Sequence, residues 1–478
     1  MADSRPTAAR PDFAALGVPA AVVTALQALG ITEPFPIQSA TLPDSLAGRD
    51  VLGRGRTGSG KTYAFVIPTL TRLAAIGGRP AARRPSALIL APTRELASQI
   101  EATAIPLARA LGLRTATVFG GVSAGAQISA LRSGVDLLIA CPGRLEDLIS
   151  GGHADLSQVE ITVLDEADHM ADLGFLPVVR RLLDRTPADG QRMLFSATLD
   201  AGVDTLVRRY LHSPVTHSVD SAESPVAAMT HHALQVEPAD RVPVLVELTS
   251  APGRTLVFTR TKHGAKKLTK QLIAAGVPAV ELHGNLSQGA RTRNLDAFAT
   301  GTVRTLVATD IAARGIHVDD VNLVVHADPP VEHKAYLHRS GRTARAGAEG
   351  TVVTLMTPEQ VSDVRALTKR AAIKPRVARL SPGDPLLAEL APGERTLIAP
   401  APLAAPGADE ARRPSRPVSG GTGNRARSGR PGGARSGGGR AGRSRSPRSG
   451  GPVTVHSTST RSGGAAAFSA NARPRRSR

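Results

Sequence analysis

The segment GRTGSGKT at residues 55–62 has the residue types and spacing that bind phosphate groups. It follows the apolar run VLG and precedes YAFVIPTLTRL, a stretch with helical apolar spacing. Glycines let backbone N–H groups turn toward phosphate oxygens, and the N-terminus of the following helix adds positive potential. Lys61 would neutralise the outer phosphates, and Thr62 would ligate Mg²⁺. A chance glycine-rich loop is the alternative, and the strand-then-helix context disfavours it. The predicted phosphate-binding set is Thr57, Gly58, Ser59, Gly60, Lys61 and Thr62.

A second group of candidate catalytic residues is the acidic sequence DEAD at residues 165–168, which ends the apolar run ITVL. Asp165 at a strand end could hold the Mg²⁺ shell, and Glu166 could orient or deprotonate an attacking water. Taken alone, these two acids would be interpreted as an acidic helix cap. Together with the phosphate-binding loop upstream, they predict hydrolysis of a nucleoside triphosphate.

Short apolar runs that alternate with helical patterns must position these residues. Four runs lie in the first half, at 87–93, 135–142, 161–168 and 191–198, and four in the second, at 254–260, 279–284, 304–310 and 321–328. This alternation is typical of parallel sheets made from βαβ units, which bind ligands at the carboxyl ends of their strands. The predicted fold class is therefore α/β, with two tandem parallel-sheet lobes.

The same patterns predict five segments along the chain. Proline and serine interrupt both periodicities at 213–229, which indicates a linker between the lobes. The expected segments are an N-terminal extension at 1–10, a first lobe at 11–212, the linker at 213–229, a second lobe at 230–382 and a tail at 383–478.

Charge is concentrated in the tail. The 478 residues include 59 Lys plus Arg and 40 Asp plus Glu, for a net charge of +19. Residues 411–478 contain 16 Arg and no Lys, Asp or Glu, which leaves +3 for the rest of the chain. This segment is rich in Gly, Ser and Pro with Phe468 as its only aromatic residue, so we expect disorder. Charge of one sign favours a polyanion-binding arm over a solvating linker.

The remaining composition limits the class of protein. A single cysteine, Cys141, excludes an internal disulfide and favours a reducing compartment. The first residues lack the apolar core of a signal peptide, and no apolar run reaches the ~18 residues of a spanning helix. We therefore expect a soluble, cytoplasmic protein. Cys141 is interpreted as a packing residue, and His231 with His232 as part of a strand edge rather than a metal site.

Together with the DEAD sequence, the motifs of residues 13–380 and their order along the chain resemble those of the DEAD-box RNA helicases. This is a family of two-lobed RecA-like ATPases. We interpret the chain as a bacterial type with a basic Gly/Arg/Ser-rich tail. Phe13 and the segment GITEPFPIQ at 30–38 resemble the family's adenine-recognition element, in which Gln38 would read the base edge. The resemblance also implies RNA contacts in the first lobe. These are Pro92, Thr93, Arg94, Gly120, Gly121, Pro142, Gly143 and Arg144.

The resemblance extends through the second lobe. HRSGRTAR at 338–345 looks like the arginine-finger segment, in which Arg342 and Arg345 would reach the γ-phosphate when the lobes close. Gly315 would belong to the nucleotide site. The implied RNA contacts of this lobe are Arg260, Gln288, Arg291 and Thr309. The residues implied to couple hydrolysis to strand separation are Asp168, Ser196, Thr198 and His338.

Several positions depart from the family pattern. Ile31 stands where the family has an aromatic residue that packs on adenine, and His317 stands where it has an Asp near the ribose. Gly55, Cys141 and Ala344 replace the usual Ala, Thr and Gly. We therefore expect a usable ATP site with weakened nucleoside contacts.

The resemblance implies an ATP-dependent RNA helicase that uses ATP and Mg²⁺. Each lobe would supply half of an ATP cleft and half of an RNA groove, so closing one assembles the other. Contacts to phosphates and 2′-hydroxyls would give little base preference, with the basic tail assisting. One alternative is an RNA chaperone or ATP-gated clamp with little unwinding. Another is a DNA-translocating relative, which Gln38 and the DEAD spelling disfavour.

Overall fold

The computed structural model describes residues 11–55, 58–219, 229–313, 320–344 and 349–398. Five predictions therefore lie outside the described residues. They concern the extension at 1–10, Thr57, Gly315 with His317, Arg345, and the tail after residue 398.

The first sheet has seven parallel strands in the order β3-β4-β2-β5-β6-β1-β7. Its strands are β1 Val51–Arg54, β2 Ala87–Leu90, β3 Thr115–Val118, β4 Leu137–Ala140, β5 Ile161–Leu164, β6 Gln191–Ser196 and β7 Val215–Ser218. Its helices are α1 Ala20–Ala28, α2 Pro36–Leu46, α3 Lys61–Ile76, α4 Arg94–Ala110, α5 Ala124–Arg132, α6 Pro142–Ser150, α7 Ala167–Asp172, α8 Leu176–Leu183 and α9 Ala201–Tyr210.

The second sheet also has seven parallel strands, in the order β10-β11-β9-β12-β13-β8-β14. Its strands are β8 Met229–Gln235, β9 Arg254–Thr259, β10 Ala279–Leu282, β11 Thr305–Thr309, β12 Val321–His326, β13 Gly350–Met356 and β14 Arg376–Arg379. Its helices are α10 Arg241–Thr249, α11 Lys262–Ala274, α12 Gln288–Ala299, α13 Asp310–Ala313, α14 His333–Ser340, α15 Val361–Arg370 and α16 Pro385–Leu390, with a 3₁₀ turn at Pro358–Gln360.

The central strands of each sheet are apolar because helices cover both faces. In β4, Leu137 and Ile139 belong to the core on one face, and Leu138 and Ala140 belong to the core on the other. Burial on both faces explains why these strands appear in the sequence as continuous apolar runs rather than alternating ones. All eight predicted runs form strands, and the α/β fold with two tandem lobes is confirmed.

The structure differs from the predicted segments at two places. Strand β7 lies inside the predicted linker, where it pairs with β1 and completes the first sheet. Helix α16 lies inside the predicted tail, and its Leu387 and Leu390 are buried in a core of the second lobe. Burial of this apolar pair favours order in this part of the chain.

Within the described ranges, no helix is long and apolar enough to cross a membrane.

Candidate active site between the two lobes

The phosphate-binding loop, or P-loop, joins β1 to the N-terminus of α3. Gly58 and Gly60 have φ angles of 88° and 86°, which glycine adopts without a steric penalty. Lys61 is the first residue of α3 and is buried, and its Nζ donates a hydrogen bond to the carbonyl of Gly55 at 2.5 Å. Thr62 follows on the same helix turn and is half-buried. Lys61 and Thr62 thus form the N-terminus of the helix that follows the loop.

Gln38 holds this loop in place. Its Nε2 donates to the carbonyl of Gly60 at 2.8 Å, and its Oε1 accepts from the backbone N–H of Phe35 at 2.9 Å. A Cβ on Gly60 would lie only 2.7 Å from that Nε2, so the contact needs glycine at this position. Gln38 thus links the start of α2 to the P-loop, and its role as a reader of the base edge stays a prediction.

Phe13 lies in the core rather than at a ligand surface. Its side chain is 2% exposed and belongs to the same core as Ile37, the neighbour of Gln38. An aromatic ring gains most from burial when it fills a packed interior, and the structure puts Phe13 there. Phe13 therefore shares a core with the element that carries Gln38, and its contact with nucleotide stays a prediction.

Asp165 and Glu166 lie at the end of β5, and the structure gives them opposite electrostatic environments. Burial raises the pKa of Asp165 to about 7, although the charge of Lys61 opposes the rise. Burial also disfavours the charged form of Glu166, but a 3.0 Å hydrogen bond with His169 and the charges of His169, Arg342 and Lys61 outweigh it. These contacts lower the pKa of Glu166 to about 2. Glu166 is therefore ionised at neutral pH, as a proton acceptor must be.

The residues present fit a nucleotide with Mg²⁺. Asp165 is 3% exposed, and its Oδ1 accepts a hydrogen bond from the backbone N–H of Glu166 at 2.9 Å. No group of three or more His, Cys, Asp or Glu in the described ranges could hold a metal ion. Mg²⁺ typically binds one or two carboxylates and completes its shell with water and substrate phosphates. Asp165 and Thr62 beside the P-loop match that pattern.

A hydrogen-bonded cluster joins α7 to the end of β6. Asp168 Oδ2 accepts from the backbone N–H of Thr198 at 3.0 Å and from its hydroxyl at 2.9 Å. The Ser196 hydroxyl donates to the Thr198 carbonyl at 2.7 Å and accepts from the Asp168 N–H at 3.3 Å. Three of the four predicted coupling residues therefore form one unit. The fourth, His338, lies on α14, where its carbonyl accepts from Arg342 Nε at 3.3 Å.

The predicted RNA contacts of the first lobe lie at the ends of β2, β3 and β4. Thr93 caps α4 by accepting from the N–H of Leu96 at 3.2 Å. The guanidinium of Arg94 lies against Gly121, where a Cβ would be only 2.0 Å from Arg94 Nη1. Arg144 Nη1 donates to the carbonyl of Val122 at 3.2 Å. The other members of the set share this edge of the sheet, namely Pro92 after β2, Gly120 after β3, and Pro142 with Gly143 in the first turn of α6.

A buried polar network connects this edge to the second lobe. Glu95 Oε1 accepts from Arg291 Nε at 2.7 Å and from Gln288 Nε2 at 3.3 Å. Gln288 Oε1 in turn accepts from Arg94 Nη1 at 3.0 Å. The Glu95 and Arg291 side chains are 8% and 11% exposed. Arg94, Gln288 and Arg291, all predicted to bind RNA, are thus brought together across the lobe junction.

Arg342 belongs to the second lobe, yet its charge lowers the pKa of Glu166 in the first. Its side chain is 6% exposed. The preceding Arg339 has a structural role: it forms a bidentate pair with Asp310 at 2.5 and 2.7 Å and lies 5.2 Å from the Phe258 ring centre. Arg339 therefore anchors the segment that presents Arg342.

The remaining predicted contacts of the second lobe lie at neighbouring strand ends. Arg260 follows β9, and its backbone N–H donates to Asp328 at 2.8 Å while its guanidinium donates to the Pro329 carbonyl at 3.3 Å. Thr309 ends β11 immediately before α13. These placements agree with the expected groove, although the binding roles stay predictions.

Cys141 packs as predicted. It is half-buried against the first core, and burial raises the pKa of its thiol to about 12. His231 and His232 lie on β8, and the ring of His231 contacts the Tyr336 hydroxyl at 3.1 Å.

Sequence reasoning missed three pairs of residues that organise the site. His169 bonds to Glu166 from the next turn of α7, Glu95 pairs with Arg291, and Lys334 on α14 donates to Asp200 of the first lobe at 3.1 Å. The spacing of Glu166 and His169 at i and i+3 on a helix was the only local signal. The other two pairs join residues that are far apart in sequence.

Two seven-stranded parallel lobes with a P-loop at their junction define a tandem RecA-like P-loop protein. A family model described as DEAD/DEAH box helicase matches residues 35–206, and one described as helicase conserved C-terminal domain matches residues 239–347. DEAD-box ATP-dependent RNA helicase 20 of Arabidopsis thaliana is 36% identical over 360 residues, which cover 74% of this chain and 72% of that protein. The chain belongs to the DEAD-box RNA helicase family.

Other relatives agree. DEAD-box ATP-dependent RNA helicase 3A, chloroplastic, of Zea mays is 42% identical over 370 residues, which cover 76% of this chain and 49% of that protein. The solved structure of S. cerevisiae Dbp5 bound to RNA and ADP BeF3 has a TM-score of 0.70 and 27% identity, covering 79% of this chain and 99% of that one. The chain spans about half the length of the first curated relatives that it matches. The predicted bacterial type finds no support among these plant and yeast relatives.

Proposed function

We propose that this chain is an ATP-dependent RNA helicase that hydrolyses ATP in an RNA-stimulated reaction. One observation supports the proposal: residues assigned to the ATP cleft and residues assigned to the RNA groove interact across the same lobe junction. Arg342 of the second lobe acts on Glu166 of the first, and Glu95 of the first pairs with Arg291 of the second. Closing the lobes therefore completes both sites, so binding of either ligand favours binding of the other.

The first lobe supplies the groups for hydrolysis. Lys61 and the P-loop amides would hold the phosphates, while Asp165 and Thr62 would hold Mg²⁺, which neutralises charge on the phosphate oxygens when bound. Glu166, kept ionised by His169, would accept a proton from the attacking water. Arg342 would stabilise the charge that develops in the transition state. We propose the same role for Arg345.

RNA binding would use the groove lined by the strand ends of both lobes. Its cationic members suit phosphate oxygens, namely Arg94, Arg144, Arg260 and Arg291. Gly121 and Thr93 would bring the protein backbone close to the RNA strand. The structure offers backbone amides and guanidinium groups here, so contacts would follow the RNA backbone with little dependence on base sequence. Assistance by the basic tail stays a prediction of the sequence. The cytoplasmic location stays one too.

The cluster of Asp168, Ser196 and Thr198 would transmit the state of the ATP cleft. Thr198 lies two residues before Asp200, which caps α9 and accepts from Lys334 on α14. Helix α14 leads directly into the segment that holds Arg342. A movement of Asp168 on hydrolysis would thus reach the second lobe through these hydrogen bonds and the short backbone segment 198–200. We propose that this path couples product formation to lobe opening and RNA release.

The test is to compare ATP turnover with RNA, with DNA and without nucleic acid, and to measure unwinding of a short RNA duplex, using the full chain and Lys61→Ala. We expect RNA alone to stimulate turnover, ATP-dependent unwinding by the wild type, and neither activity in Lys61→Ala. Equal stimulation by DNA would favour the translocating relative. Stimulated turnover with ATP-dependent RNA retention but no unwinding would favour the clamp or chaperone.

A further inference from the structure

Phe35 is the most exposed aromatic side chain among the residues that the structure describes. The residue is 45% exposed, whereas every other described Phe or Tyr is buried or half-buried. The chain has only nine Phe, three Tyr and no Trp, so exposure of one ring is a distinctive feature of this surface. An exposed aromatic ring presents a π face on which a planar ligand can stack.

The position of Phe35 is fixed relative to the P-loop. Its carbonyl accepts from the N–H groups of Gln38 and Ser39 at 2.9 and 3.0 Å, and its own N–H donates to Gln38 Oε1. Gln38 then donates to the carbonyl of Gly60. The side chain itself reaches the loop, because a Cβ built on Gly60 would lie 3.0 Å from Phe35 Cβ and Cδ2. The ring therefore stands against the last glycine before Lys61.

The nucleoside side of this site needs an apolar, planar surface. Ile31, at the position where an aromatic residue was expected, is half-buried against the first core and has no π face. Gln38 uses both ends of its amide to hold Phe35 and Gly60. A nucleotide with its phosphates on the P-loop amides must place its base a short distance away, and Phe35 is the ring available at that edge.

We infer that Phe35 stacks on the base of the bound nucleotide and so replaces the aromatic residue missing at Ile31. This inference rests on the proposed function, since it requires nucleotide phosphates on the P-loop. Stacking on a phenyl ring acts through the π face of the base and leaves phosphate contacts unchanged. Affinity for a nucleotide should therefore depend on the ring, and affinity for phosphate chains without a base should not.

The first experiment measures binding of ADP and of inorganic tripolyphosphate to the full chain by calorimetry. Phe35→Leu keeps an apolar contact with Gly60 but removes the π face, and Phe35→Tyr keeps both. We expect Phe35→Leu to weaken ADP binding about tenfold while tripolyphosphate binding stays unchanged, and Phe35→Tyr to bind both ligands within about twofold of wild type.

Two results would overturn the inference alone. One is wild-type ADP affinity in Phe35→Leu, and the other is an equal loss for ADP and tripolyphosphate, which would mean that Phe35 only supports the loop. A wild-type chain that binds neither ligand would instead overturn the proposed function together with the inference.

A second experiment detects stacking directly by fluorescence quenching. Because the chain has no Trp, Phe35→Trp creates a single fluorescent reporter, and Ile76→Trp provides a matched control. Ile76 is also 45% exposed but lies at the far end of α3, about 22 Å from Lys61 by helix rise. We expect ADP to quench Phe35→Trp, tripolyphosphate to leave it unchanged, and neither ligand to affect Ile76→Trp. Absence of ADP quenching in Phe35→Trp would contradict stacking.

Discussion

The two lobes have the same strand order but carry different chemistry at their strand ends. Strands β1 and β8 occupy matching positions, as does each later pair in the two sheets. β1 leads into the P-loop and Lys61, whereas β8 leads into VEPAD at 236–240, which has two acids and neither Gly nor Lys. The first lobe thus has a phosphate-binding loop at this position, and the second lobe has none there. The comparison shows that the fold supplies positions, and that the loops decide what each position does.

Asp165 in the first lobe and Asp328 in the second follow corresponding strands, and their contacts illustrate the difference between the lobes. The N–H of Asp165 after β5 donates to Leu90 at the end of β2, and the N–H of Asp328 after β12 donates to Phe258 of β9. Asp165 lies near the charge of Lys61, at the expected Mg²⁺ position. Asp328 instead pairs with Arg241 at 2.5 Å and accepts from the Arg260 N–H. The first carboxylate lies where we propose that Mg²⁺ binds, and the second pairs with groups of its own lobe.

The largest effect should come from Arg342→Ala, which removes the contribution of the second lobe to the ATP cleft. We expect RNA-stimulated kcat to fall by about 10³ to 10⁵, because a missing arginine finger leaves transition-state charge without compensation. ADP affinity should change little. Steady-state kinetics at saturating RNA would measure the change, with Arg365→Ala on the exposed face of α15 as control. A loss of less than tenfold would mean that Arg342 does not act as the arginine finger.

Glu166→Gln tests the first lobe at its reacting carboxylate. The amide keeps the shape of the side chain but cannot accept a proton, so we expect turnover to fall by about 10² to 10⁴. Binding of ATP and RNA should remain at wild-type strength. Single-turnover hydrolysis and equilibrium binding would be measured on the same preparation. Wild-type turnover in Glu166→Gln would show that another group activates the water.

The second lobe should be the more acid-sensitive of the two through its buried His231. Burial and the charge of His232 lower the pKa of His231 to about 4 in the folded protein, against about 6.5 when unfolded. Between these values the unfolded chain binds more protons, so the free energy of unfolding falls as pH falls from about 6.5 to about 4. The full loss is on the order of 3 kcal/mol.

His231→Gln should flatten this pH dependence, because Gln does not titrate and can still hydrogen-bond the Tyr336 hydroxyl. Urea denaturation at several pH values from 7 to 4.5 would measure the slope for the wild type and the variant. Equal slopes of unfolding free energy against pH in the two proteins would exclude His231 as a source of acid sensitivity. His326 would then remain as a source, since burial lowers its pKa well below the usual value.

The smallest effect should come from Asp328→Asn. Asp328 is the counterpart of Asp165 in the first lobe. Arg241 and Asp328 are 35% and 27% exposed, so solvent weakens their pair and its loss should cost about 1 kcal/mol of stability. ADP affinity should not change. Thermal denaturation and ADP titration together would test this. A large drop in ADP affinity would show that the carboxylate of the second lobe takes part in nucleotide binding.

Local patterns in the sequence predict the central strands and the candidate catalytic residues. They do not predict edge strands or contacts between residues far apart in the chain. ITVL and its neighbours predict strands because both faces are buried, whereas VTHS of β7 and RVAR of β14 lie at sheet edges and lack such runs. The P-loop and DEAD segment are also local. The Glu95–Arg291 pair joins residues 196 positions apart, so no spacing rule could indicate it.

Strand β7 has a practical consequence for work with a single lobe. It is the outermost strand of its sheet and covers the free edge of β1, the strand that leads into the P-loop. A fragment ending at His212, the boundary expected from sequence, would leave the outward N–H and C=O groups of β1 without partners. Such bare edges template pairing with the sheets of neighbouring molecules. A fragment of the first lobe should therefore extend through Ser218, so that its nucleotide-binding strand is not also its site of self-association.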